Sequence, residues 1–167
     1  MNNTPNISIR YATIADAQAI HDFLIPFSEQ RLILARSVDN IREHIGNFLL
    51  AVDAENKIAG TVALRDFGNA LQEIRTLTVN PLLHGQRIGS QLVLAALDFA
   101  RRRGSEKVFT LTMRPNLFQR LGFEITDINI FPQKVTYDCL ACPKRSHCDE
   151  IALLYELKER TIPYEGR

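Results

Sequence analysis

The chain has 167 residues, of which 46% are hydrophobic and 23% charged, a balance typical of one globular domain large enough to bury its own core. A formal net charge of +1 gives no reason to expect a nucleic-acid partner. No apolar run approaches the ~20 residues that a membrane span requires, and the polar residues before Ile7 do not form a signal peptide. We therefore expect a cytoplasmic protein that binds neither nucleic acid nor membranes.

Hydrophobic periodicity and turn residues predict strands and helices along most of the chain. Pro26 is expected to interrupt or end the first helix, because proline lacks the N–H group that a helix needs. Strands are predicted at 7–11, 48–52, 57–64, 73–79, 107–112, 123–130 and 151–157, and helices at 13–26, 37–44, 90–103 and 115–121. This order is that of a mixed α/β chain, and Thr161–Arg167 is predicted to be a frayed end.

The stretch from Glu73 to Arg103 carries the strongest functional signal. A β-branched strand ends at Asn80-Pro81, a glycine-bearing loop follows, and a helix begins near Ser90. A loop before a helix N-terminus binds phosphate well, because unpaired N–H groups and the positive end of the helix dipole point at the anion. The loop is neither a P-loop nor the three-glycine dinucleotide motif. It is therefore a candidate site for another phosphate-bearing ligand, although such a loop is more often only a turn.

The segment L-T-V-N-P-L-L-H-G-Q-R-I-G-S-Q-L-V resembles the acyl-coenzyme-A binding motif of the GCN5-related N-acetyltransferase (GNAT) family. In that family a strand ending L-x-V-x-P precedes a loop [RQ]-x-x-G-x-[GA], which opens a long helix. Gly89 matches, whereas His84 stands in place of Arg or Gln and Arg87 in place of the middle glycine. Arg87 would tolerate a positive φ poorly, but main-chain N–H groups bind phosphate whatever side chain they carry. The resemblance covers residues 7–131 and includes a late L-G-F at 121–123.

This resemblance implies a single α/β domain over residues 1–167, with a cysteine-containing extension at about 132–150. The implied GNAT fold is a mixed, mostly antiparallel sheet with a splayed central strand, flanked by helices. Acetyl-CoA is the implied co-substrate, with a bulge in the central strand freeing main-chain groups for its pantetheine arm and for the oxyanion. The cofactor-binding residues so implied are Leu77, Thr78, Val79, His84, Gly85, Gln86, Arg87, Ile88, Gly89, Ser90, Asn116 and Phe118.

Glu73 is the predicted catalytic residue. Acetyl transfer needs a neutral amine, whereas an α-ammonium group is mostly protonated at neutral pH, so a base must remove a proton directly or through water. Glu73 precedes the phosphate loop on the same strand. The alternative is a structural carboxylate that pairs with Arg75 or with a neighbouring strand.

The proton donor for the leaving thiolate is left open. Many family members have a tyrosine five residues before the final Phe of the L-G-F segment, where this chain has Phe118. Water or Tyr137 are the alternatives, and a thiol is acidic enough that a strong acid is not required.

The acceptor is predicted from a closer resemblance to amino-acid acetyltransferases that make N-acetylglutamate. The shared features are a segment at residues 26–37 similar to P-x-x-E-Q-x-x-L-x-x-R-S, with Ile33 in place of its leucine, the phenylalanine at 118, and E-I-x-x-L-x-V-x-P in the central strand. Arg36 and Arg114 are the implied substrate-binding residues, because guanidinium groups suit carboxylates. Arg31, where the family usually has glycine, is a third candidate.

Two other functions remain open at this stage. One is acetylation of a protein or of another amine, and the other is a non-catalytic module that binds coenzyme A. Because family members often pair through their C-terminal strands, a homodimer is also an expectation.

All three cysteines lie in the extension, as Cys139, Cys142 and Cys148 beside His147. Four such ligands suffice for tetrahedral zinc, but adjacent His147 and Cys148 rarely both reach one ion. A redox pair is a second alternative. In a reducing compartment we favour reduced cysteines and predict no metal ligands.

Overall fold

The computed structural model describes residues 5–140, 142 and 148–157. Its strands are β1 (Ser8–Tyr11), β2 (Phe48–Val52), β3 (Ile58–Asp66), β4 (Leu71–Val79), β5 (Lys107–Thr112), β6 (Glu124–Thr126) and β7 (Ile151–Glu156). Its helices are α1 (Ala17–Glu29), α2 (Val38–Glu43), α3 (Ile88–Arg102), α4 (Pro115–Arg120) and α5 (Pro132–Lys134), the last continuing as a π-helical turn over Val135–Cys139. In these ranges no helix is long and apolar enough to cross a membrane.

The strands form one sheet in the order β1-β2-β3-β4-β5-β7-β6. The pair β4–β5 is parallel, and every other pair is antiparallel. The predicted mixed, mostly antiparallel α/β fold is therefore confirmed. The last strand, β7, lies between β5 and β6, so β5 and β6 follow one another in the chain but are not neighbours in the sheet.

Helices cover both faces of this sheet, because successive strand residues point to opposite sides. In β2, Leu49 and Ala51 pack in the core beneath α3, whereas Phe48 and Leu50 pack in the core beneath α1 and α2. All five residues of β2 are buried, which explains why this strand reads as a continuous apolar run. The two cores hold β2 and β3 between them, and Ile74 of β4 packs in the core beneath α3 with Val79 and Leu83 against it, which fixes the position of the loop that follows β4.

The prediction that Pro26 interrupts or ends α1 was wrong by one turn. The helix continues through Pro26 to Glu29, and the N–H of Gln30 donates to the Pro26 carbonyl at 3.1 Å. Pro26 is exposed, and its missing N–H removes a single hydrogen bond close to the end of the helix. The sequence offers Ser37 or Asp39 as the cap of the following helix; Ser37 is the cap, since its hydroxyl accepts from the N–H of Asn40 at 3.1 Å and the helix begins at Val38.

The predicted strand from Phe123 towards Ile130 is also wrong in extent. Strand β6 ends at Thr126, because the Asp127 carboxylate accepts from the N–H of Asn129 at 2.9 Å and starts a 3₁₀ turn over Ile128–Ile130. The expected frayed end, Thr161–Arg167, lies outside the described residues.

Candidate active site

Strands β4 and β5 separate at the middle of the sheet. They pair in parallel from Leu71 opposite Lys107 to Ile74 opposite Thr110, and β4 then continues alone on that side to Val79. In the described part of the chain no strand pairs with this side of β4 beyond Ile74. Its backbone N–H and C=O groups are therefore available to a ligand, as expected for the predicted splayed central strand.

A β-bulge on the other side of β4 creates this separation. Thr61 pairs with Thr78, but Ala63 pairs with Arg75, so β4 carries one more residue than β3 across this interval. Thr76 adopts a positive φ of 55°, and its carbonyl accepts from the buried Thr61 hydroxyl at 2.8 Å. The Thr61 and Thr78 hydroxyl oxygens are also 2.8 Å apart. The bulge is thus held by hydrogen bonds from the neighbouring strand.

The loop after β4 takes a left-handed turn into α3. The Asn80 side chain accepts from the N–H of Leu82 at 3.0 Å, and Gly85 has φ 85°. Arg87, the residue that replaces the family's glycine, adopts φ 61° immediately before α3 begins at Ile88. A residue with a side chain adopts this left-handed conformation poorly, yet the structure holds Arg87 in it. The loop therefore keeps the geometry in which the first N–H groups of α3 face outward.

One open cleft of about 2170 Å³ connects this loop with the bulge and with Glu73. Ordinary small-ligand pockets measure roughly 300–1,000 Å³, so the cleft has room for a long co-substrate together with a second molecule. Of the predicted site residues, the cleft is lined by Arg36, Glu73, Leu77, Thr78, Val79, His84, Gly85, Arg87, Ile88, Gly89, Ser90, Arg114, Asn116 and Phe118. Gln86 and Arg31, the third candidate for substrate binding, are absent from this lining. The half-buried Gln86 side chain has an Oε1 atom without a hydrogen-bond partner among the described residues.

Glu73 lies in the part of β4 that is still paired, between Arg65 of β3 and Phe109 of β5. Only 4% of its side chain is exposed. The Arg75 guanidinium donates to Oε2 at 2.7 Å, and Lys134 Nζ lies 2.9 Å from Oε1 and 3.1 Å from Oε2. The alternative role considered above, an ion pair with Arg75, is therefore present, in a carboxylate that also lines the cleft.

Asp138 completes a charge cluster around Glu73. Its carboxylate accepts from Arg75 at 2.7 Å, from Lys134 at 2.9 Å and from Arg65. Burial raises the pKa of Asp138, but hydrogen bonds from Lys134, Arg65 and Arg75 outweigh this effect and hold that pKa well below its usual range. Sequence reasoning missed this cluster; the one local signal was the four-residue spacing of Lys134 and Asp138, which places both on one helical face.

Arg36 lies beside the bulge and next to this cluster. Its guanidinium donates to Asn40 Oδ1 at 2.8 Å and to Thr76 Oγ1 at 3.4 Å, and it stacks on the Phe48 ring at 4.8 Å. In the ranges described, no carboxylate lies within ion-pair distance of Arg36. Burial first, and then the charges of Arg75 and Arg65, lower the pKa of Arg36 to about 10. An anion bound here would relieve this repulsion.

The two other predicted contacts, Arg114 and Phe118, follow β5 and also line the cleft. Arg114 is exposed immediately before α4, and its N–H donates to Thr112 Oγ1 at 2.9 Å. Phe118 is buried to 3% exposure and packs edge-on against Phe123, so this position contributes packing and no hydroxyl group. The Tyr137 side chain, the other candidate donor, lies outside the described part of the structure.

The three cysteines border the same cleft as free thiols. The N–H of Cys142 donates to the Cys139 carbonyl at 3.2 Å. Burial raises the pKa of Cys139 and so favours its neutral thiol, although the charge of Lys134 acts in the opposite direction. Within the described residues no three His, Cys, Asp or Glu side chains converge as metal ligands, and His147 lies outside them.

Comparison with known proteins agrees with this geometry. A family model described as "Acetyltransferase (GNAT) family" matches residues 15–123. An uncharacterized N-acetyltransferase of Chlorobaculum tepidum is 38% identical over 149 residues, which cover 89% of this chain and 96% of that protein. An amino-acid acetyltransferase of Shewanella oneidensis is 33% identical over 129 residues, which cover 75% of this chain but 28% of that protein.

Several solved structures have this fold and hold a coenzyme. N-acetylglutamate synthase from Neisseria gonorrhoeae, complexed with coenzyme A and N-acetyl-glutamate, aligns with a TM-score of 0.81 at 26% identity. That alignment covers 92% of this chain and 35% of the synthase chain. The chain thus spans about a third of the length of the amino-acid acetyltransferases that it matches. Other structures with this fold also hold coenzyme A or acetyl-CoA.

Proposed function

Because the chain belongs to the GNAT family and is an acetyl-CoA-dependent N-acetyltransferase, we propose that its acceptor is the amine of an amino acid, with glutamate the leading candidate. The proposal covers the acceptor and the roles of individual residues. The assignment of an amino acid as acceptor is supported by the similar synthase that binds N-acetyl-glutamate. It is also supported by the positive charge of the arginine side chains that line the cleft.

The observation that carries the proposal is a set of guanidinium groups with unused donors. Arg36 has no acidic partner among the described residues, and the hydrogen bonds of Arg75 to Glu73 and Asp138 both come from Nη2, which leaves its Nη1 group without a partner there. Both residues line the cleft beside the bulge. A carboxylate is the anion whose two oxygens match such donors. We assign the first carboxylate of the acceptor to Arg36 and Arg75, and a second one to Arg114, which follows β5.

The cleft also fits acetyl-CoA. Acetyl-CoA supplies an acetyl group activated as a thioester, together with a long arm and a pyrophosphate. The unpaired side of β4 at Leu77, Thr78 and Val79 offers main-chain groups to the arm and to the thioester oxygen. The loop from His84 to Ser90 offers the pyrophosphate the N–H groups at the start of α3 and the charge of Arg87.

The chain's residues then perform two tasks. Arg36 and Arg75 hold the acceptor so that its amine faces the thioester at the separation of β4 and β5. Glu73 accepts one proton of the acceptor's ammonium, directly or through one water molecule, so that the neutral nitrogen forms the new bond to the acetyl carbon as the carbon–sulfur bond breaks. The nitrogen releases a second proton to water as the amide forms. We assign the proton that the thiolate takes to water, with Tyr137 as the alternative donor, because Phe118 has no hydroxyl to give.

A panel of acceptors tests the proposal. Purified protein is mixed with acetyl-CoA, and thiol release is followed with glutamate, aspartate, glutamine, neutral amino acids, and simple amines without a carboxylate. We expect release with amino acids, fastest with glutamate, and none with the simple amines. Turnover of only simple amines or peptides would move the acceptor to another class. Binding of acetyl-CoA without release by any amine would favour a binding module.

Arg36→Met tests the assigned carboxylate contact. A hydrogen bond to a charged group is worth about 1.5–3 kcal/mol, so the acceptor's KM should rise roughly 10- to 150-fold. The affinity for acetyl-CoA, measured by calorimetric titration, should stay unchanged. Arg42→Met is the matched control, because Arg42 is exposed on α2 and does not line the cleft. Equal KM values for the two variants would remove Arg36 from the acceptor site.

A further inference from the structure

Lys134 links the extension to the proposed catalytic carboxylate. Its ammonium group has three protons and three acceptor atoms in reach: both oxygens of Glu73, at 2.9 and 3.1 Å, and Asp138 Oδ2 at 2.9 Å. Only 12% of its side chain is exposed. The two carboxylates therefore hold the ammonium in one place, and the ammonium in turn fixes the direction of Glu73.

The position of Lys134 is itself determined by several contacts. Asp138 lies one helical turn further along the same segment and is bound by Arg65 of β3 and Arg75 of β4. Residues 132–139 are thereby held against β3 and against β4, the strand that contains Glu73. Movement of Lys134 would break contacts with two carboxylates, which is costly for a charge with so little solvent around it.

We propose that Lys134 is a positioning residue for acetyl transfer, which acts by holding the Glu73 carboxylate in the orientation that receives the acceptor's proton. This inference rests on the proposed role of Glu73. A base must lie within hydrogen-bond reach of the proton that it takes, and a misplacement of about 1 Å costs on the order of 100-fold in rate. In this role Lys134 acts through Glu73 rather than on the reacting atoms, so its removal lowers kcat by displacing the Glu73 carboxylate.

The same geometry is compatible with a second role for Lys134, and the values of kcat and KM distinguish that role from positioning. The Lys134 ammonium occupies a place beside Glu73 that an acceptor's ammonium would also need. If Lys134 merely blocked that place, its removal would lower the acceptor's KM and leave kcat unchanged. A positioning residue gives the opposite pattern.

The test is Lys134→Met, with Lys57→Met as the matched control. Lys57 is exposed, immediately precedes β3 and does not line the cleft. We expect Lys134→Met to lower kcat roughly 10- to 100-fold, with the acceptor's KM and the acetyl-CoA affinity changed by less than about threefold. Lys134→Arg, which keeps a cation, should retain more of the turnover than Lys134→Gln. This pair replaces the Met variant if that variant does not fold.

A double-mutant cycle with Glu73→Gln supplies the readout that a purely structural lysine would not affect. If Lys134 acts through Glu73, Lys134→Met should have little further effect on kcat in the Glu73→Gln background. Multiplicative effects, a lowered acceptor KM, or unchanged kcat in Lys134→Met would each overturn the inference. The cycle uses whichever amine the wild type acetylates best. Its result therefore does not depend on whether that amine is an amino acid, which the acceptor panel tests separately.

Discussion

Glu73→Gln is expected to lower kcat about 10²- to 10⁴-fold while leaving acetyl-CoA binding intact. This loss corresponds to roughly 3–5 kcal/mol of barrier. The amide has the shape of the carboxylate but cannot accept the ammonium proton of an incoming amine. Lys134 and Arg75 keep a partner in Asp138, so the strands around the site should stay in place.

Two further variants isolate the chemistry of this change. Glu73→Asp keeps the charge but withdraws the carboxylate by one methylene, and should fall between wild type and Glu73→Gln in kcat. Glu124→Gln, an identical substitution on exposed β6 outside the cleft, is the control for general effects of losing one charge. Acetyl-CoA titration and thermal unfolding accompany each assay. Wild-type turnover in a folded Glu73→Gln protein would identify Glu73 as a structural carboxylate and nothing more.

Gly60→Ala is expected to damage the co-substrate site and the fold together. A Cβ atom at Gly60 would lie 2.7 Å from the Thr78 carbonyl oxygen and 2.9 Å from Leu92 Cδ1. The first contact is with backbone at the bulge, and the second is with a fully buried side chain of α3, so neither neighbour yields easily. Relief requires β4 to move away from β3 at Thr78, where the main chain is proposed to bind the co-substrate arm.

Such overpacking typically costs about 1–3 kcal/mol, which for a chain of this size lowers Tm by roughly 2–4 °C per kcal/mol. The affinity for acetyl-CoA should fall in the same variant. Gly46→Ala is the matched control, because a Cβ atom there meets nothing within 4 Å. If both alanine variants melt and bind alike, the close approach at Gly60 does not constrain the bulge.

Local patterns were enough to predict most of the fold. Strands at 48–52 and 107–112 have the observed bounds, because each is a short apolar or β-branched run between clear turn signals. Pro26 and Asp127 caused the errors in extent, since each alters hydrogen bonding within one turn in a way that periodicity does not report. The separation of β4 and β5 was expected from resemblance alone, because a bulge depends on register between strands.

Local patterns predicted the candidate site only where its residues are close in sequence, whereas Arg36, Arg114, Asn116 and Phe118 were expected from the resemblance. The loop from His84 to Ser90 forms a contiguous motif, and Glu73 precedes it on the same strand. Lys134 and Asp138 were missed, because their partners in β3 and β4 are some sixty to seventy positions away and nothing local marks the contact. The conformation of Arg87 was unexpected for a related reason: packing of the whole loop, rather than the residue's own preference, decides its φ.

The position of β7 between β5 and β6 has a consequence for synthesis on the ribosome. Among the strands that the structure describes, a nascent chain that has emerged only through β6 has none with which to pair the free edge of β5, and none with which to pair β6. The extension that carries Lys134 and Asp138 is joined to the sheet at its far end only when β7 inserts. The growing polypeptide therefore carries an unsatisfied strand edge, a surface that favours aggregation, until nearly its last described residue has been translated.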